Sequence, residues 1–184
     1  MNKKVIPAIS SIKNLEKFLT SPYEIGVLLD SHIAQLKNIN DLAEKHGKKL
    51  MFHMDLIEGI KNDEKGTEFI CQEFRPYGLI STKANVIRKA KQKGVLSIQR
   101  MFLIDSHAVE QSYRHIKMTD PDYIEVLPGT LPSMIREVAE KTNIPILAGG
   151  LIRKPEEVEK AIAAGATAVT TSAKHLWDIY EKIQ

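Results

Sequence analysis

Cysteine is almost missing from this sequence. The single Cys71 cannot form an intrachain disulfide, which fits a reducing compartment. No apolar run approaches the roughly 18–20 residues of a membrane-spanning helix. The opening residues, MNKKVIPAIS, lack the apolar stretch and small-residue cleavage site of a secretory signal, so a cytoplasmic chain with no membrane partner is expected. There is no P-loop, no GxGxxG and no HxxxH or HxH pair. His32, His46, His107, His115 and His175 are scattered over helix-like stretches, so no metal is expected. Charge of one sign is scarce too. The 26 Lys and Arg against 23 Asp and Glu leave +3, which permits a nucleic-acid partner only if the basic residues cluster.

What is present is an ordinary globular composition, 43% hydrophobic and 27% charged, with no low-complexity tract or Pro-rich linker. One domain over residues 1–184 is expected. Short apolar runs alternate with longer charged, periodic ones. The runs are VIPAIS (5–10), YEIGVLLD (23–30), KLMFHMD (49–55), YGLIST (77–82), VLSIQRMF (95–102), YIEVLPG (123–129), IPILAGG (144–150) and ATAVTTS (166–172). Each precedes a helix-like segment; in the second, Ile33, Leu36, Ile39 and Leu42 recur every three residues. Strands this apolar are buried on both faces, as in a parallel sheet covered by helices. Gly47, Gly94 and Gly165 suit the helix C′ position, where φ is positive. Eight such units predict an α/β chain folded as a compact (β/α)8 TIM-type barrel, with an open doubly wound sheet as the competing arrangement. The 184 residues divided by eight units leave 23 each, so little remains for a lid or an added module.

In a barrel, binding and chemistry collect at the C-terminal strand ends. Here those ends carry Ser10, Asp30, His53 with Asp55, Lys83, Arg100, Glu125, Gly149 with Gly150, and Thr171 with Ser172. Loops after strands 7 and 8 commonly hold phosphate, because backbone N–H groups and a helix dipole face the anion. Gly149, Gly150, Thr171 and Ser172 are therefore the expected phosphate cradle. The plain alternative is a tight turn followed by an ordinary N-cap. Arg100 and Glu125 interrupt apolar runs, so each needs a partner or a ligand. His53 and Asp55, two apart, would share one strand face and could contact ligand hydroxyls or simply bond each other. Lys83 is either a further polar contact or a solvated first-turn residue.

A second feature is KANVIRKAKQKG, where Lys83, Arg88, Lys89, Lys91 and Lys93 fall in eleven residues without an acid. On a helix, Arg88, Lys89, Lys91 and Lys93 form a broad positive face, with Val86, Ile87 and Ala90 on the packed side. That face is either a solvated amphipathic surface or a contact for a nucleic-acid backbone.

FHMDLIEGI (52–60), GLISTK (78–83), QRMFLIDS (99–106), IEVLPG (124–129), AGGLI (148–152) and AVTTS (168–172) occur in that order. Together they resemble the bacterial glycerol uptake operon antiterminator regulatory protein family, from about Val5 to Tyr180. The resemblance implies a regulator without catalytic residues or cofactors. Its effector would be glycerol 3-phosphate and its partner the leader mRNA of glycerol operons, with transcription antitermination as the outcome. On that reading Gly149, Gly150, Thr171 and Ser172 hold the phosphate, while His53, Asp55, Lys83, Arg100 and Glu125 surround the hydroxyls. The basic helix would supply part of the RNA surface, and self-association into a homo-oligomer stays open. From the residues alone, a small barrel isomerase or lyase acting on a phosphorylated substrate is the alternative, with Asp55, Lys83 or Glu125 in the acid–base or Schiff-base role.

Overall fold

The computed structural model describes residues 3–182. Eight parallel strands close a barrel: β1 Val5–Ile9, β2 Ile25–Leu28, β3 Lys49–His53, β4 Gly78–Ser81, β5 Leu96–Phe102, β6 Tyr123–Leu127, β7 Ile146–Gly149 and β8 Ala166–Thr171. Each pairs with its neighbours in sequence, and closure runs through Val5↔Val169, Ile6↔Thr170 and Pro7↔Thr171. The helices between and after them are α1 Ile12–Thr20, α2 Ile33–Lys45, α3 Glu64–Glu73, α4 Ala84–Gln92, α5 Ser106–Thr119, α6 Pro132–Thr142, α7 Pro155–Ala163 and α8 Lys174–Lys182. The barrel predicted from the alternation is therefore the one observed, each strand lying within the apolar run that predicts it.

The two faces of the strands build two cores. Ile6, Val27, Met51, Ile80, Ile98, Leu147 and Ala168 point inward and fill the barrel. Alternate residues such as Ile124, Val126 and Ile146 pack outward under the helices, with Phe18, Leu36, Ile70 and Trp177. Burial on both faces is why the strands read as continuous apolar runs and lack strict alternation.

Local chemistry ends the helices where expected. Asp63 and Asp105 cap α3 and α5 by accepting from Gly66 N (2.9 Å) and Ala108 N (2.8 Å). Gly47, Gly94 and Gly165 take positive φ before the next strand. One element escapes the sequence pattern. Ser31–His32 and Ile57–Glu58 pair as two short parallel strands in the loops after β2 and β3, too short to leave a period.

Candidate functional site

A cavity of about 500 Å³ opens at the C-terminal end of the barrel, between β5 and β6 on one side and the loops after β7 and β8 on the other. Its floor is an ion pair. Arg100 and Glu125 are direct cross-strand partners, and Arg100 Nε and Nη2 lie 2.8 Å and 2.7 Å from Glu125 Oε2. Thr170 Oγ1 donates to the other carboxylate oxygen at 2.8 Å. The Glu125 side chain is only 1% exposed and that of Arg100 10%. Both carboxylate oxygens are thus engaged by the protein, while the guanidinium, with five N–H donors, keeps donors for a ligand.

The two glycines of β7 and its loop have different jobs. A Cβ on Gly149 would lie 2.5 Å from Thr170 Oγ1 and 3.0 Å from Glu125 Oε1. Gly149 therefore makes room for the buried Thr170–Glu125 bond and is itself absent from the cavity wall. Gly150 does line the wall, at φ +74, a conformation open to glycine without Cβ strain. Leu151 follows at φ +60 and is 62% exposed on the rim. Beyond it, Arg153 N and Lys154 N donate to Glu157 Oε2 at 2.7 Å and 2.9 Å, which fixes the loop to the start of α7.

The β8 side is fixed to the β7 side by one hydroxyl. Thr171 Oγ1 donates to Ile152 O (2.9 Å) and accepts from Ala173 N (3.1 Å). Thr171 is thus a tie between the loops, with its hydroxyl already used. Trp177 Nε1 donates to Thr171 O at 2.8 Å, anchoring α8 at this point. Ser172 is exposed on the wall, next to the first turn of α8. At that turn Ala173 N is taken by Thr171 Oγ1 and Leu176 N by Ala173 O, which leaves the N–H groups of Lys174 and His175 at the positive end of the helix dipole. Arg153 and His175 stand on the same rim, with His175 Nε2 2.7 Å from Arg153 O. With Glu125 neutralised by Arg100, the remaining charge favours an anion.

His53, Asp55 and Lys83 are placed differently from one another. His53 follows Met51 on the inward face of β3, is 2% exposed, and has no hydrogen-bond partner on either ring nitrogen among the described residues. Burial, reinforced by the Arg100 charge, pushes its pKa down to about 4. Asp55 does not share that strand face, because β3 ends at His53 and Asp55 sits in a 3-10 turn, Met54–Leu56. It accepts from Asn62 Nδ2 (2.6 Å), Ser81 Oγ, Thr82 N (2.7 Å) and Thr82 Oγ1 (2.9 Å). Burial alone would raise this carboxyl, but these donors outweigh it and hold its pKa below the usual value. Lys83 Nζ reaches Asn62 O at 3.0 Å, outside the cavity. Asp55 and Lys83 therefore tie the loops after β3 and β4 together and do not surround the cavity. No lysine lines it.

The positive face expected on α4 is largely neutralised. Arg88 pairs with Glu64 (3.1 Å), Lys91 with Asp120 (2.7 Å), and Lys93 with Glu68. Of the four basic residues there, only Lys89 has no carboxylate at ion-pair distance among the described residues. Thr170, Arg153 and His175 complete the cavity without having been singled out in the sequence. Thr170 shares the inward face with Ala168, so alternation could have found it; Arg153 and His175 sit beyond strand ends, where no period applies. Among the described residues no three His, Cys, Asp or Glu side chains gather as a metal site. Among the described residues no helix is long and apolar enough to cross a membrane.

Comparison with known proteins agrees with this architecture. Residues 5–177 match the family model described as glycerol-3-phosphate responsive antiterminator. The chain is similar to the crystal structure of a glycerol uptake operon antiterminator regulatory protein from Listeria monocytogenes, with 46% identity, TM-score 0.95, and 97% and 96% of the two chains covered. It is also similar to a glycerol uptake operon antiterminator-related protein from Thermotoga maritima, at 27% identity and TM-score 0.85 over 97% and 99% of the chains. The Escherichia coli (strain K12) protein YgcP is 32% identical over 179 residues, covering 97% of this chain and 94% of that one.

Proposed function

The chain belongs to the glycerol-3-phosphate responsive antiterminator family, and from that premise we propose that it binds glycerol 3-phosphate in the barrel mouth and, in response, the leader mRNA of glycerol operons, promoting transcription past a terminator. Such a regulator works in the cytoplasm, where those transcripts are made. One observation carries the ligand reading: a cavity of small-molecule size in which the carboxylate on the wall, Glu125, is already paired and whose rim presents a helix N-terminus, Gly150, Arg153 and His175. The phosphate would sit against Gly150, Ser172 and the first turn of α8, with Gly149 and Thr171 shaping that cradle from behind. The glycerol hydroxyls would face Arg100, which donates, and Glu125, whose oxygens retain lone pairs for a hydroxyl donor. His53, just below, would satisfy a ring nitrogen through a ligand hydroxyl or a water.

No residue is assigned a catalytic role and no cofactor is invoked. What supports the regulator over the enzyme alternative is the placement of the residues that alternative names: Lys83 lies outside the cavity, Asp55 accepts hydrogen bonds from Asn62, Ser81 and Thr82, and Glu125 accepts from the protein on both oxygens. Calorimetry with glycerol 3-phosphate tests the site through Gly150→Asp. An aspartate tolerates the left-handed backbone and places a carboxylate where the phosphate is read. Binding is expected to be lost with the circular dichroism spectrum retained; unchanged affinity removes this site. Leader RNA binding with and without glycerol 3-phosphate tests the response, and an affinity indifferent to the ligand refutes it.

A further inference from the structure

The ligand cavity occupies one end of the barrel, and the other end carries a set of cations, three of which have no ion-pair partner among the described residues. Two adjoining hollows lie on the N-terminal face. One, about 370 Å³, is lined by Lys3, Lys49, Tyr23 and Tyr77. The other, about 450 Å³, is lined by Arg75, Pro76 and Lys93. Residues 75–77 form the ridge between them. The two linings hold four cations against one carboxylate, Glu24, and of the four Lys93 is paired with Glu68 outside the lining. Lys3, Lys49 and Arg75 have no ion-pair partner among the described residues, in contrast to the α4 cations, three of which are paired.

Two further details set this band apart from a scatter of solvated lysines. Tyr77 is 36% exposed, and the Lys49 ammonium lies 5.2 Å from its ring centroid. An aromatic face beside a cation is what a single strand uses, the base stacking on the ring and the phosphate meeting the charge. Arg75 is held at φ +44, a backbone conformation disfavoured for any residue with a Cβ except asparagine or aspartate. Glycine or asparagine would occupy that turn without strain, yet neither would bring a charge to the ridge.

Resting on the reading of the chain as a leader-RNA regulator, we infer that a single-stranded segment of the RNA runs along this N-terminal band, over Lys49, Tyr77 and Arg75, and that α4 is not the main contact. Ligand and RNA then occupy opposite ends of the barrel and do not compete for space. A double helix is the poorer occupant, because an exposed ring reads unstacked bases and not the closed grooves of A-form RNA.

The test uses the full chain with saturating glycerol 3-phosphate and measures leader RNA affinity over a salt series. Lys49→Ser with Arg75→Asn is expected to flatten the slope of log affinity against log salt by about 1.4, at roughly 0.7 per lost single-strand phosphate contact. Tyr77→Leu is expected to weaken binding about tenfold with the slope unchanged, and Tyr77→Phe to restore it. Arg88→Ser with Lys89→Ser on α4 is expected to bind as the wild type does. Calorimetric affinity for glycerol 3-phosphate, read at the far end of the barrel, is expected to stay constant in all four and reports that each has folded. If the wild type binds leader RNA while the band variants match it, or the loss follows the α4 pair, the placement is overturned and the regulator reading stands. If the wild type binds no leader RNA with or without the ligand, the regulator reading itself is overturned, and this placement with it.

Discussion

Replacing Arg100 with methionine isolates the ion pair that floors the cavity. The substitution keeps an unbranched apolar stem in the barrel but leaves Glu125 almost wholly buried, with only Thr170 Oγ1 donating to it. Breaking a buried pair from one side costs roughly 3–5 kcal/mol. The expected loss relative to wild type is therefore about 3–5 kcal/mol. Urea unfolding of the wild type, Arg100→Met, Glu125→Gln and the double variant measures it. The double variant should recover much of the loss, because neutral partners remove the uncompensated charge. An Arg100→Met cost below about 1 kcal/mol, or a double variant no more stable than Arg100→Met, refutes the view that Arg100 is what permits a buried Glu125.

Other expectations follow from the same interior. Gly149→Ala brings a Cβ within 2.5 Å of Thr170 Oγ1; it should cost about 1–3 kcal/mol in unfolding experiments and weaken glycerol 3-phosphate binding by displacing Glu125. Retention of wild-type stability would show that the Thr170–Glu125 bond relaxes freely. His53, with a pKa pushed down to about 4, should be neutral in the folded protein at pH 5 by NMR titration. Because its folded pKa lies below the unfolded value near 6.5, stability should be complete above about pH 6.5 and decline by roughly 1.4 kcal/mol per unit as pH falls towards 4. His53→Phe should remove that component of the slope, and an unchanged slope would assign the acid sensitivity elsewhere.

Much of the fold is legible in the sequence because it depends on local regularities. Each apolar run coincides with a barrel strand, and Gly47, Gly94 and Gly165 stand where a helix must turn back. The short pair at Ser31–His32 and Ile57–Glu58 is not legible, since two residues carry no periodicity. Within the site, Arg100 and Glu125 announce themselves by interrupting apolar runs, and the structure pairs them with each other. His53 and Asp55 are misleading in the other direction. Two-residue spacing places them on one face only if the strand continues, and the 3-10 turn after His53 ends it.

Composition and the βα rhythm by themselves determined a parallel sheet of eight βα units, with closure into a barrel favoured over an open sheet, and a set of polar residues at its C-terminal strand ends. They did so because hydrophobic periodicity and helix stops are properties of neighbouring residues. Which of those polar residues face the cavity, which are spent holding loops together, and which cations survive unpaired was decided only by the tertiary structure. Asp55 meets Ser81 and Thr82, Gly149 yields space to Glu125, and the α4 charges meet Glu64, Glu68 and Asp120. Each of these depends on partners at least 24 residues away in the chain. Hydrogen bonds and charge pairs act over a few ångströms of space, at a distance along the chain that no local pattern records.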